Sequence, residues 1–504
     1  MSLITLSTRA EQGIQAPQVF VEVHLSNGLP AFAIVGLPEA AVRESRDRVR
    51  SAIINSGFEF PARRITVNLA PAELPKEGGR YDLAIALGIL ATSKQLNAEP
   101  LETFDFYGEL SLSGELRAVS GIIPALIEST QHNKKIIIPT QNTKDAQLLS
   151  YEHINAASNL IQLCNFFNGG GHLQKVEALK ETPSTINNAL DISDVIGQPQ
   201  AKRAIEIAAA GGHHMLMTGP PGTGKSMLAQ RLSTILPEMS ELEAIQSASI
   251  YSISQQGFNP ENWRQRAFRS PHHTVSGIAL VGGGSNPKPG EISLAHNGVL
   301  FLDELTEFDR KTLDVLREPL ETGKIHISRA ARQAEYPARF QLIAAMNPCP
   351  AGCNTLQSCT CSPEQLNRYK NKLSAPFLDR IDIQIELPKL DQSLLLNNSN
   401  AQHETSQEIK QRVINAQAIQ HQRQGVLNHL LNTKQLEQHC SLDTACKELM
   451  ALTMNKLKLS ARSYHRLLKL ARTIADLGNS NSIKTAHIAE ATVLRTAARL
   501  LDQQ

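Results

Sequence analysis

The sequence predicts an α/β protein that ends in an all-helical part, and three observations support this prediction. Short apolar, β-rich runs alternate with helical stretches before residue 168 and again after residue 194. One of these runs, HMLMTG, leads into a glycine-rich segment that directly precedes a helical pattern. From residue 410 onward, apolar residues recur at helical spacing with hardly a β-rich run.

The 504 residues suffice for about three domains at roughly 150 residues each. A glycine triplet, a charged stretch and a polar run containing Pro183 predict a linker over 169–193. We therefore expect a first α/β domain over 1–168 and a second over 194–390. A polar, Gln/Asn-rich stretch then opens a helical domain over 391–504.

Composition excludes several classes of protein. With 41% hydrophobic and 19% charged residues, the chain is globular rather than disordered or collagen-like. The net charge of +2 provides no overall basic bias that would indicate nucleic acid. No apolar run approaches the roughly 20 residues that span a bilayer, and no secretory signal is expected from the first residues. Seven cysteines are too few for a disulfide framework, so we expect a cytoplasmic protein with no membrane partner.

The segment GPPGTGKS has the G-x-x-x-x-G-K-[ST] spacing of a phosphate-binding loop. Glycines let successive backbone N–H groups turn toward phosphate oxygens, and the following helix N-terminus favours negative charge. Lys225 is predicted to reach the β- and γ-phosphates of ATP, and the Ser226 hydroxyl to hold Mg²⁺. A chance glycine turn is disfavoured by the flanking strand and helix. The predicted ATP-binding residues are Gly219, Pro220, Pro221, Gly222, Thr223, Gly224, Lys225 and Ser226.

Two further apolar runs end in polar side chains. The run NGVLFLDE ends in Asp303, which is predicted to hold Mg²⁺, and Glu304, which would polarise the attacking water. The run FQLIAAMN ends in Asn347, whose amide would orient that water against the γ-phosphate. The structural alternatives are a solvated turn for the two acids and a turn cap before Pro348 for the asparagine.

Together these motifs resemble those of AAA+ ATPases. The segment DVIGQPQAKRAIEIAAAGGHH looks like their N-terminal adenine-side box, which implies that Ile196 and Gly197 contact the nucleotide. By the same resemblance, Asn347 is the sensor-1 residue. The cofactors implied are ATP and Mg²⁺.

The resemblance also implies two arginines that act on phosphate. In SAPFLDRIDI, Arg380 is the arginine finger, which would reach a neighbouring subunit's γ-phosphate. In LSARSYHRLLKL, Arg462 is the sensor-2 arginine, with Arg466 as the second choice. A finger that acts on a neighbour implies a ring of identical subunits, a homohexamer. The alternatives are a pair of Arg380 with Asp379 or Asp382, and an exposed basic helix face for Arg462.

Two insertions in the ATPase part are rich in basic residues. From residue 262 to 290 the chain has no acidic residue, and it has two adjacent histidines, His272 and His273. The second insertion reads strand, basic turn, strand. Loops of this kind, lining a ring's pore, would grip DNA phosphates, although composition alone favours solvated arginines. The basic residues are Arg264, Arg266, Arg269 and Lys288 in the first insertion and Arg329 and Arg332 in the second.

These insertions resemble the helix-2 insert and the pre-sensor-1 hairpin of minichromosome-maintenance helicases and magnesium chelatase motors. The string RSPHHT…GGG…PKPGEISLAHNGVLFLDELTEF and the first domain resemble the ComM/YifB family along essentially the whole chain. The resemblance implies a hexameric, ATP-driven DNA helicase that promotes branch migration in natural transformation. Its partners would be single-stranded, branched or duplex DNA, a recombinase and other transformation proteins. The implied DNA contacts are Arg329, Arg332 and Lys288.

The first domain resembles a Lon-protease-type domain in KEGGRYDLAIALGIL and YGELSLSGELRAVSGIIPALIES. The serine position of that protease falls at Arg80, Tyr81 and Asp82, and the lysine position at about Ile123. Since Ser–Lys proteolysis needs both groups, the resemblance implies that the fold is kept and the proteolysis is lost.

Four cysteines follow Asn347 within a short stretch, with the spacing C-x₃-C-x₅-C-x-C. Thiolates at this density in a reducing compartment favour a tetrahedral, structural Zn²⁺ site. Free thiols and disulfides are the alternatives. The four residues are Cys349, Cys353, Cys359 and Cys361.

Three functions compete with the DNA motor. One is an ATP-dependent Lon-like protease, which the missing serine and lysine disfavour. Another is a chelatase-type motor that remodels a protein partner. The third is a ring that binds DNA without translocating it.

Overall fold

The computed structural model describes residues 2–179, 190–284, 286–328, 333–353, 359–389, 404–457 and 459–496. Two compact units emerge. The first comprises residues 2–179, 244–263 and 333–336. The second comprises residues 190–243, 264–284, 286–328 and the described residues from 337 onward.

The first unit is built on an eight-stranded mixed sheet. In chain order, the strands of this unit, eight in the sheet and two outside it, are β1 (Ser2–Arg9), β2 (Gln18–Ser26), β3 (Ala31–Val35), β4 (Arg64–Ala70), β5 (Phe104–Phe106), β6 (Glu109–Leu110), β7 (Leu116–Arg117), β8 (Lys135–Pro139), β9 (Ile154–Ala157) and β10 (Gln174–Lys175). The sheet order is β10-β9-β8-β5-β1-β2-β4-β3, while β6 and β7 form a separate pair. Strand β2 runs antiparallel to β1 and β4, and β8 lies parallel to β5 and β9.

One helix of this unit is buried along its whole length. The helices are α1 (Ala40–Arg43), α2 (Ser45–Asn55), α3 (Asp82–Thr92), α4 (Ile122–Gln131), α5 (Thr143–Ala146) and α6 (Leu160–Phe167). Helix α3 packs against β1, β2 and α2, and every residue from Asp82 to Thr92 is buried. A helix that is apolar on all sides is stable only when it is covered on all sides. Gly88 permits the close approach, because a Cβ there would lie 2.5 Å from Val23.

The second unit is built on a five-stranded parallel sheet. Its order is β12-β15-β18-β11-β19, and every pairing within it is parallel. The carboxyl ends of β11, β15 and β18 therefore meet at one edge, where open α/β sheets bind ligands. The remaining strands in chain order are β11 (Met215–Thr218), β12 (Phe268–Arg269), β13 (Gly282–Gly283), β14 (Lys288–Pro289), β15 (Val299–Leu302), β16 (Lys324–Ser328), β17 (Gln333–Pro337), β18 (Gln341–Met346) and β19 (Ile383–Glu386).

The helices of the last hundred residues belong to the same unit as this sheet. Helix α16 packs against α7 and α8, α19 against α7, and α20 against β19. The helices in chain order are α7 (Pro199–Gly211), α8 (Lys225–Ile235), α9 (Glu241–Ile253), α10 (Gly277–Val281), α11 (Glu291–Leu294), α12 (Arg310–Asp314), α13 (Pro319–Thr322), α14 (Pro363–Lys370), α15 (Ala375–Leu378), α16 (Ser406–Gln424), α17 (Thr433–His439), α18 (Thr444–Leu457), α19 (Ala461–Leu477) and α20 (Thr485–Thr496).

The fold class is the predicted one, mixed α/β with a helical C-terminal part, and the predicted division into domains stays a prediction. The described residues of 194–390 and 391–504 share one hydrophobic core, in which Ile409 and Leu470 pack with Ile207 and Met217. The predicted linker, 169–193, holds β10 near its start and a one-turn helix near its end. Apolar packing and strand pairing therefore extend the ordered elements past the boundaries that composition suggested.

Residues 244–263 complete a hydrophobic cluster of the first unit. Ala248 is fully buried with Ile122 and Leu126, and the rings of Phe258 and Trp263 meet edge to face at 6.4 Å. Nothing in the local sequence assigns this stretch to the first unit. Among the described residues, no helix combines the length and the apolar composition needed to cross a bilayer.

Candidate nucleotide-binding site

The predicted phosphate-binding loop joins β11 to α8. Gly222 and Gly224 have φ of +77° and +86°, a left-handed conformation that glycine adopts without steric cost. Gly219 has no room for a side chain, because a Cβ there would lie 2.6 Å from the Leu387 carbonyl oxygen. The helix then begins at Lys225. Backbone sterics thus explain why glycines occupy these positions.

Lys225 connects this loop to the end of the neighbouring strand. Its Nζ donates hydrogen bonds to the carbonyl oxygens of Gly219 (2.6 Å) and Pro220 (2.9 Å) and to Oδ1 of Asn347 (3.2 Å). Burial lowers the pKa of Lys225, and the carboxylates of Asp303 and Glu304 oppose that shift. The ammonium group and the predicted sensor amide therefore lie together, as the parallel pairing of β11 and β18 requires.

Ser226 and Asp303, the two predicted magnesium ligands, are in direct contact. The Ser226 hydroxyl donates to Oδ2 of Asp303 at 2.6 Å. Mg²⁺ prefers oxygen donors and is commonly held by one or two carboxylates together with substrate phosphates. A hydroxyl and a carboxylate at the mouth of a phosphate-binding loop are the donor set that such an ion needs. The residues fit the ion.

Glu304 adopts a strained backbone and contacts a histidine. Its φ is +50°, which is uncommon for a residue with a side chain and occurs preferentially at functional sites. Its carboxylate lies 3.3 Å from Nδ1 of His273, a residue that follows β12. Sequence reasoning noted His273 but assigned it no role, since no local motif links it to Glu304.

The predicted adenine-side residues, Ile196 and Gly197, lie in the loop before α7. The next residue, Gln198, donates from Nε2 to the carbonyl oxygen of Pro388 at 2.7 Å. Leu387, directly before that proline, donates its N–H to the Thr218 carbonyl oxygen and packs on Gly219. This chain of contacts ties the 196–198 loop to the phosphate-binding loop.

The two predicted phosphate-sensing arginines meet at one acidic residue. Nη2 of Arg380 lies 2.8 Å from Oε1 of Glu321, and Arg462 pairs with the same oxygen. The expected alternative partners of Arg380 were Asp379 and Asp382, and neither pairs with it in the structure. Glu321 belongs to α13 and was missed in the sequence, because its two partners are remote in the chain.

Arg466, the second choice for the sensor-2 arginine, has a structural role. Its Nη1 donates to the Arg380 carbonyl oxygen and to Oδ1 of Asp382, both at 2.6 Å. Burial raises the pKa of Asp382, but Arg466 and His213 outweigh burial and hold that pKa well below its usual range. Arg466 therefore compensates a buried carboxylate.

The basic stretch before Gly290 is partly neutralised. Arg266 pairs with Glu243 at 3.2 Å, and Arg269 pairs with Glu291 at 2.7 Å. Glu291 lies one residue beyond the stretch that lacks acidic side chains, so composition overstated its free positive charge. Lys288 lies half-buried in β14, which pairs with β13. Arg329 and Arg332 lie outside the described residues.

The four clustered cysteines converge, and the structure pairs none of them in a disulfide. Their Sγ atoms all lie within 4.8 Å of one another. A tetrahedral zinc site with Zn–S bonds of about 2.3 Å requires sulfur atoms roughly 3.8 Å apart. The set consists of Cys349, Cys353, Cys359 and Cys361.

The cysteine cluster adjoins the phosphate-binding loop. A Cβ on Gly352 would lie 2.9 Å from Cδ of Pro221, so the backbone at Gly352 packs closely against the Pro221 ring. Cys349 follows Asn347 by two residues, and the Tyr369 hydroxyl donates to the Asn347 carbonyl oxygen at 3.0 Å. The segment that holds the thiols therefore also borders the predicted sensor.

In the first unit, the positions of the Lon-type serine and lysine are structural. Arg80 donates to Glu11 at 2.8 Å, and Tyr81 is fully buried. Asp82 accepts a 2.8 Å hydrogen bond from Arg48, and Ile123 lies in a hydrophobic cluster. The described residues thus present no serine and lysine pair at the expected positions.

Three family models match the chain. The model for magnesium chelatase, subunit ChlI, matches residues 191–395. The model for subunit ChlI of Mg-chelatase matches residues 21–142, and that for the subunit ChlI C-terminal region matches 403–495.

Two relatives match over nearly the full length of the chain, and a third matches over part of it. Competence protein ComM of Haemophilus influenzae is 52% identical over 506 residues, covering 100% of this chain and 99% of that protein. Protein YifB of Salmonella typhimurium is 50% identical over 501 residues, covering 99% and 98%. The magnesium-chelatase subunit ChlI of Porphyra purpurea is 23% identical over 198 residues, covering 34% of this chain and 55% of that subunit. The chain belongs to the ComM/YifB family of magnesium chelatase-related AAA+ ATPases.

Proposed function

We propose that this chain is an ATP-driven DNA motor, a homohexameric helicase that promotes branch migration as incoming DNA is recombined in natural transformation. The observation that carries the ATPase part is the convergence of Lys225, Ser226, Asp303 and Asn347 at the ends of three neighbouring parallel strands. Full-length similarity to a protein named for competence supports the role in transformation.

The placement of these side chains supports the roles that we propose for them. Lys225 neutralises charge on the β- and γ-phosphates, and Ser226 and Asp303 hold Mg²⁺. When bound, the ion offsets the negative charge that develops on the phosphate oxygens. Glu304 polarises the attacking water, and the Asn347 amide orients it. Each role needs a polar group at the strand edge, and these residues supply it.

The placement of the two arginines supports the proposed ring of subunits. Arg380 and Arg462 bring two guanidinium groups to one carboxylate, so the positive charge at Glu321 exceeds the negative. An excess of this kind suits the γ-phosphate of a nucleotide held by a neighbouring subunit, where an arginine stabilises transition-state charge. A finger that acts on a neighbour is useful only in a closed assembly.

The cysteine cluster is proposed to hold one structural Zn²⁺. Four thiolates fill a tetrahedral site and leave no open position for catalysis. The ion would stabilise the segment between β18 and α14, which borders Asn347 and Pro221.

DNA is proposed to contact Lys288, Arg329 and Arg332, on the two insertions. These are phosphate contacts, so binding would depend weakly on sequence and strongly on salt. A recombinase and other transformation proteins would recruit the ring, and the protein would act in the cytoplasm.

Branch migration of a labelled three-strand junction tests the proposal. We expect wild type to resolve the junction with ATP, Lys225→Ala to be inactive, and Arg329→Ala to hydrolyse ATP without moving DNA. A wild type that hydrolyses ATP but neither responds to DNA nor moves the junction would refute the helicase function.

Two other functions have distinct signatures. A chelatase-type motor would respond to a protein client rather than to DNA. A Lon-like protease would degrade casein with ATP, although the buried Arg80, Tyr81 and Ile123 at its catalytic positions disfavour this function.

A further inference from the structure

Arg495, a buried residue near the end of α20, contacts the segment that carries the predicted arginine finger. Its Nη1 donates hydrogen bonds to the carbonyl oxygens of Ile381 (3.0 Å) and Asp382 (3.3 Å). These two residues directly follow Arg380, the predicted finger. One guanidinium group from the last helix therefore holds the backbone on the carboxyl side of the finger.

The same guanidinium group reaches the first turn of α19. Its Nη2 donates to the hydroxyl oxygen of Ser463 at 3.1 Å, and Ser463 directly follows Arg462, the predicted sensor-2 arginine. The Ser463 hydroxyl in turn donates to Oδ1 of Asp379 at 3.3 Å, and Asp379 directly precedes Arg380. Arg495, Ser463 and Asp379 thus form a cluster that connects the chain beside one predicted phosphate-sensing arginine to the chain beside the other.

The reach of Arg380 depends on where its backbone lies. Its side chain is buried, its Nη1 donates to the Pro376 carbonyl oxygen at 2.5 Å, and its Nη2 lies 2.8 Å from Glu321. A side chain held in this way has little freedom to compensate for a shift of the backbone. Misplacing a group that acts on the reacting atoms by about 1 Å can lower a rate by roughly 10²-fold. Contacts that fix the backbone beside Arg380 therefore bear on catalysis.

We propose that Arg495 is a positioning residue that holds Arg380 and Arg462 at the separation at which both reach the nucleotide of the neighbouring subunit. The inference rests on the proposed arginine finger. Arg495 donates to backbone carbonyl groups and to Ser463, so it acts through the two arginines rather than on phosphate. Its loss should impair hydrolysis at the neighbour's site and spare the phosphate-binding loop of its own subunit.

The test first measures ATP turnover and the affinity for a fluorescent ATP analogue. In Arg495→Ala the turnover should fall about tenfold or more, while the affinity stays close to that of wild type. Arg495→Lys keeps a cationic donor for one of the carbonyl oxygens and should recover part of the turnover. Arg203 pairs with Glu490 on the same helix at 2.9 Å. The variant Arg203→Ala is therefore the matched control, and we expect both of its values to stay near those of wild type.

Subunit mixing separates a positioning role from a structural one. Mixing Arg495→Ala with Lys225→Ala should restore hydrolysis, because the first variant supplies intact phosphate-binding loops and the second supplies correctly placed arginines. Mixing Arg495→Ala with Arg380→Ala should not restore it, because no subunit then presents a correctly placed finger. A general loss of structure in Arg495→Ala would also damage its own loop, and Lys225→Ala would then fail to rescue it.

The outcomes distinguish the positioning role from the proposed finger. Wild-type turnover in Arg495→Ala beside a defective Arg380→Ala overturns the positioning role and leaves the finger in place. A defect in Arg495→Ala that Lys225→Ala does not rescue also overturns it and indicates a structural role. Wild-type turnover in Arg380→Ala overturns the finger and, with it, the positioning role.

A second variant keeps the test decisive if Arg495→Ala does not fold. Ser463→Ala removes only the hydroxyl that joins Arg495 to Asp379. It should show a smaller loss of turnover that Lys225→Ala rescues and Arg380→Ala does not. Wild-type turnover in Ser463→Ala would then overturn the positioning role.

Discussion

Arg380 and Arg462 pair with the same oxygen of Glu321. Arg380 precedes β19 and is only 7% exposed, whereas Arg462 lies in the first turn of α19. Two arginines that share one carboxylate face the same side of the subunit. If Arg380 acts on a neighbour's nucleotide, Arg462 acts on that same nucleotide rather than on the one its own subunit holds.

Subunit mixing should reveal this arrangement. Arg380→Ala and Arg462→Ala should each lower ATP hydrolysis, with losses of up to about 10³-fold or more for the finger. Mixing either variant with Lys225→Ala should restore activity. At some interfaces an arginine variant then supplies the intact phosphate-binding loop, and its Lys225→Ala neighbour supplies the intact arginines. Hydrolysis is measured over a range of mixing ratios.

The informative mixture is Arg380→Ala with Arg462→Ala. If both arginines come from the same neighbour, every interface lacks one of them and activity stays low. Recovered activity in this mixture would place Arg462 in the subunit that holds the nucleotide. Arg203 pairs with Glu490. The variant Arg203→Ala therefore serves as a control for the removal of an arginine elsewhere in the unit.

Lys225 and Asn347 should separate binding from hydrolysis. Lys225→Ala removes the cation that contacts Gly219 and Pro220, so we expect ATP affinity to be lost. Asn347→Ala should leave affinity within a few-fold of wild type and lower the turnover by about 10²-fold, as for other groups that act on the reacting atoms. Equilibrium binding and steady-state hydrolysis measure the two effects, and equal losses of affinity in both variants would contradict the assignment.

Zinc should depend on the four clustered thiols. Purified protein should contain about one Zn²⁺ per chain, and Cys359→Ser should lose most of it. Because Gly352 packs on Pro221, we also expect the variant to bind ATP more weakly and to melt at a lower temperature. Elemental analysis and thermal melting measure these effects. Glu364→Ala, at an exposed position three residues after the last cysteine of the cluster, should retain the metal. A wild-type protein that contains no bound zinc after purification would rule the site out.

Stability should fall in mild acid because of two buried histidines. Nδ1 of His214 accepts the Leu342 N–H, and Nδ1 of His296 accepts the Arg339 N–H, so both rings must be neutral. Burial lowers the pKa of each to about 4. The unfolded chain takes up these protons near pH 6.5, and the folded chain only near pH 4. Stability is therefore full above pH 6.5 and falls between pH 6.5 and 4, by up to about 1.4 kcal/mol per pH unit for each histidine.

Melting temperatures at several pH values between 7.5 and 5 measure the expected loss of stability in mild acid. His296→Gln should flatten the pH dependence, whatever its effect on absolute stability. His421→Gln, at an exposed position of α16, should leave the slope unchanged. A slope that is the same in all three proteins would mean that other groups control the acid sensitivity.

The sequence alone predicted the residues that the structure brings together in the candidate nucleotide-binding site. Glycines at Gly222 and Gly224, and polar side chains directly after apolar runs, reflect local steric and hydrogen-bonding demands that a short window contains. The fold class followed from the same local periodicities. The cysteine cluster could also be read from spacing, because its four members lie close together in the chain.

Only the tertiary structure decided which distant groups meet. In the folded chain, Arg380 and Arg462 both pair with Glu321. Glu304 lies beside His273. Glu243 and Glu291 neutralise part of the charge of the basic insertion. The tertiary structure also merged the predicted core and lid in one compact unit. These outcomes depend on strand order and helix packing, which bring together residues far apart in sequence, and no local pattern encodes such pairings.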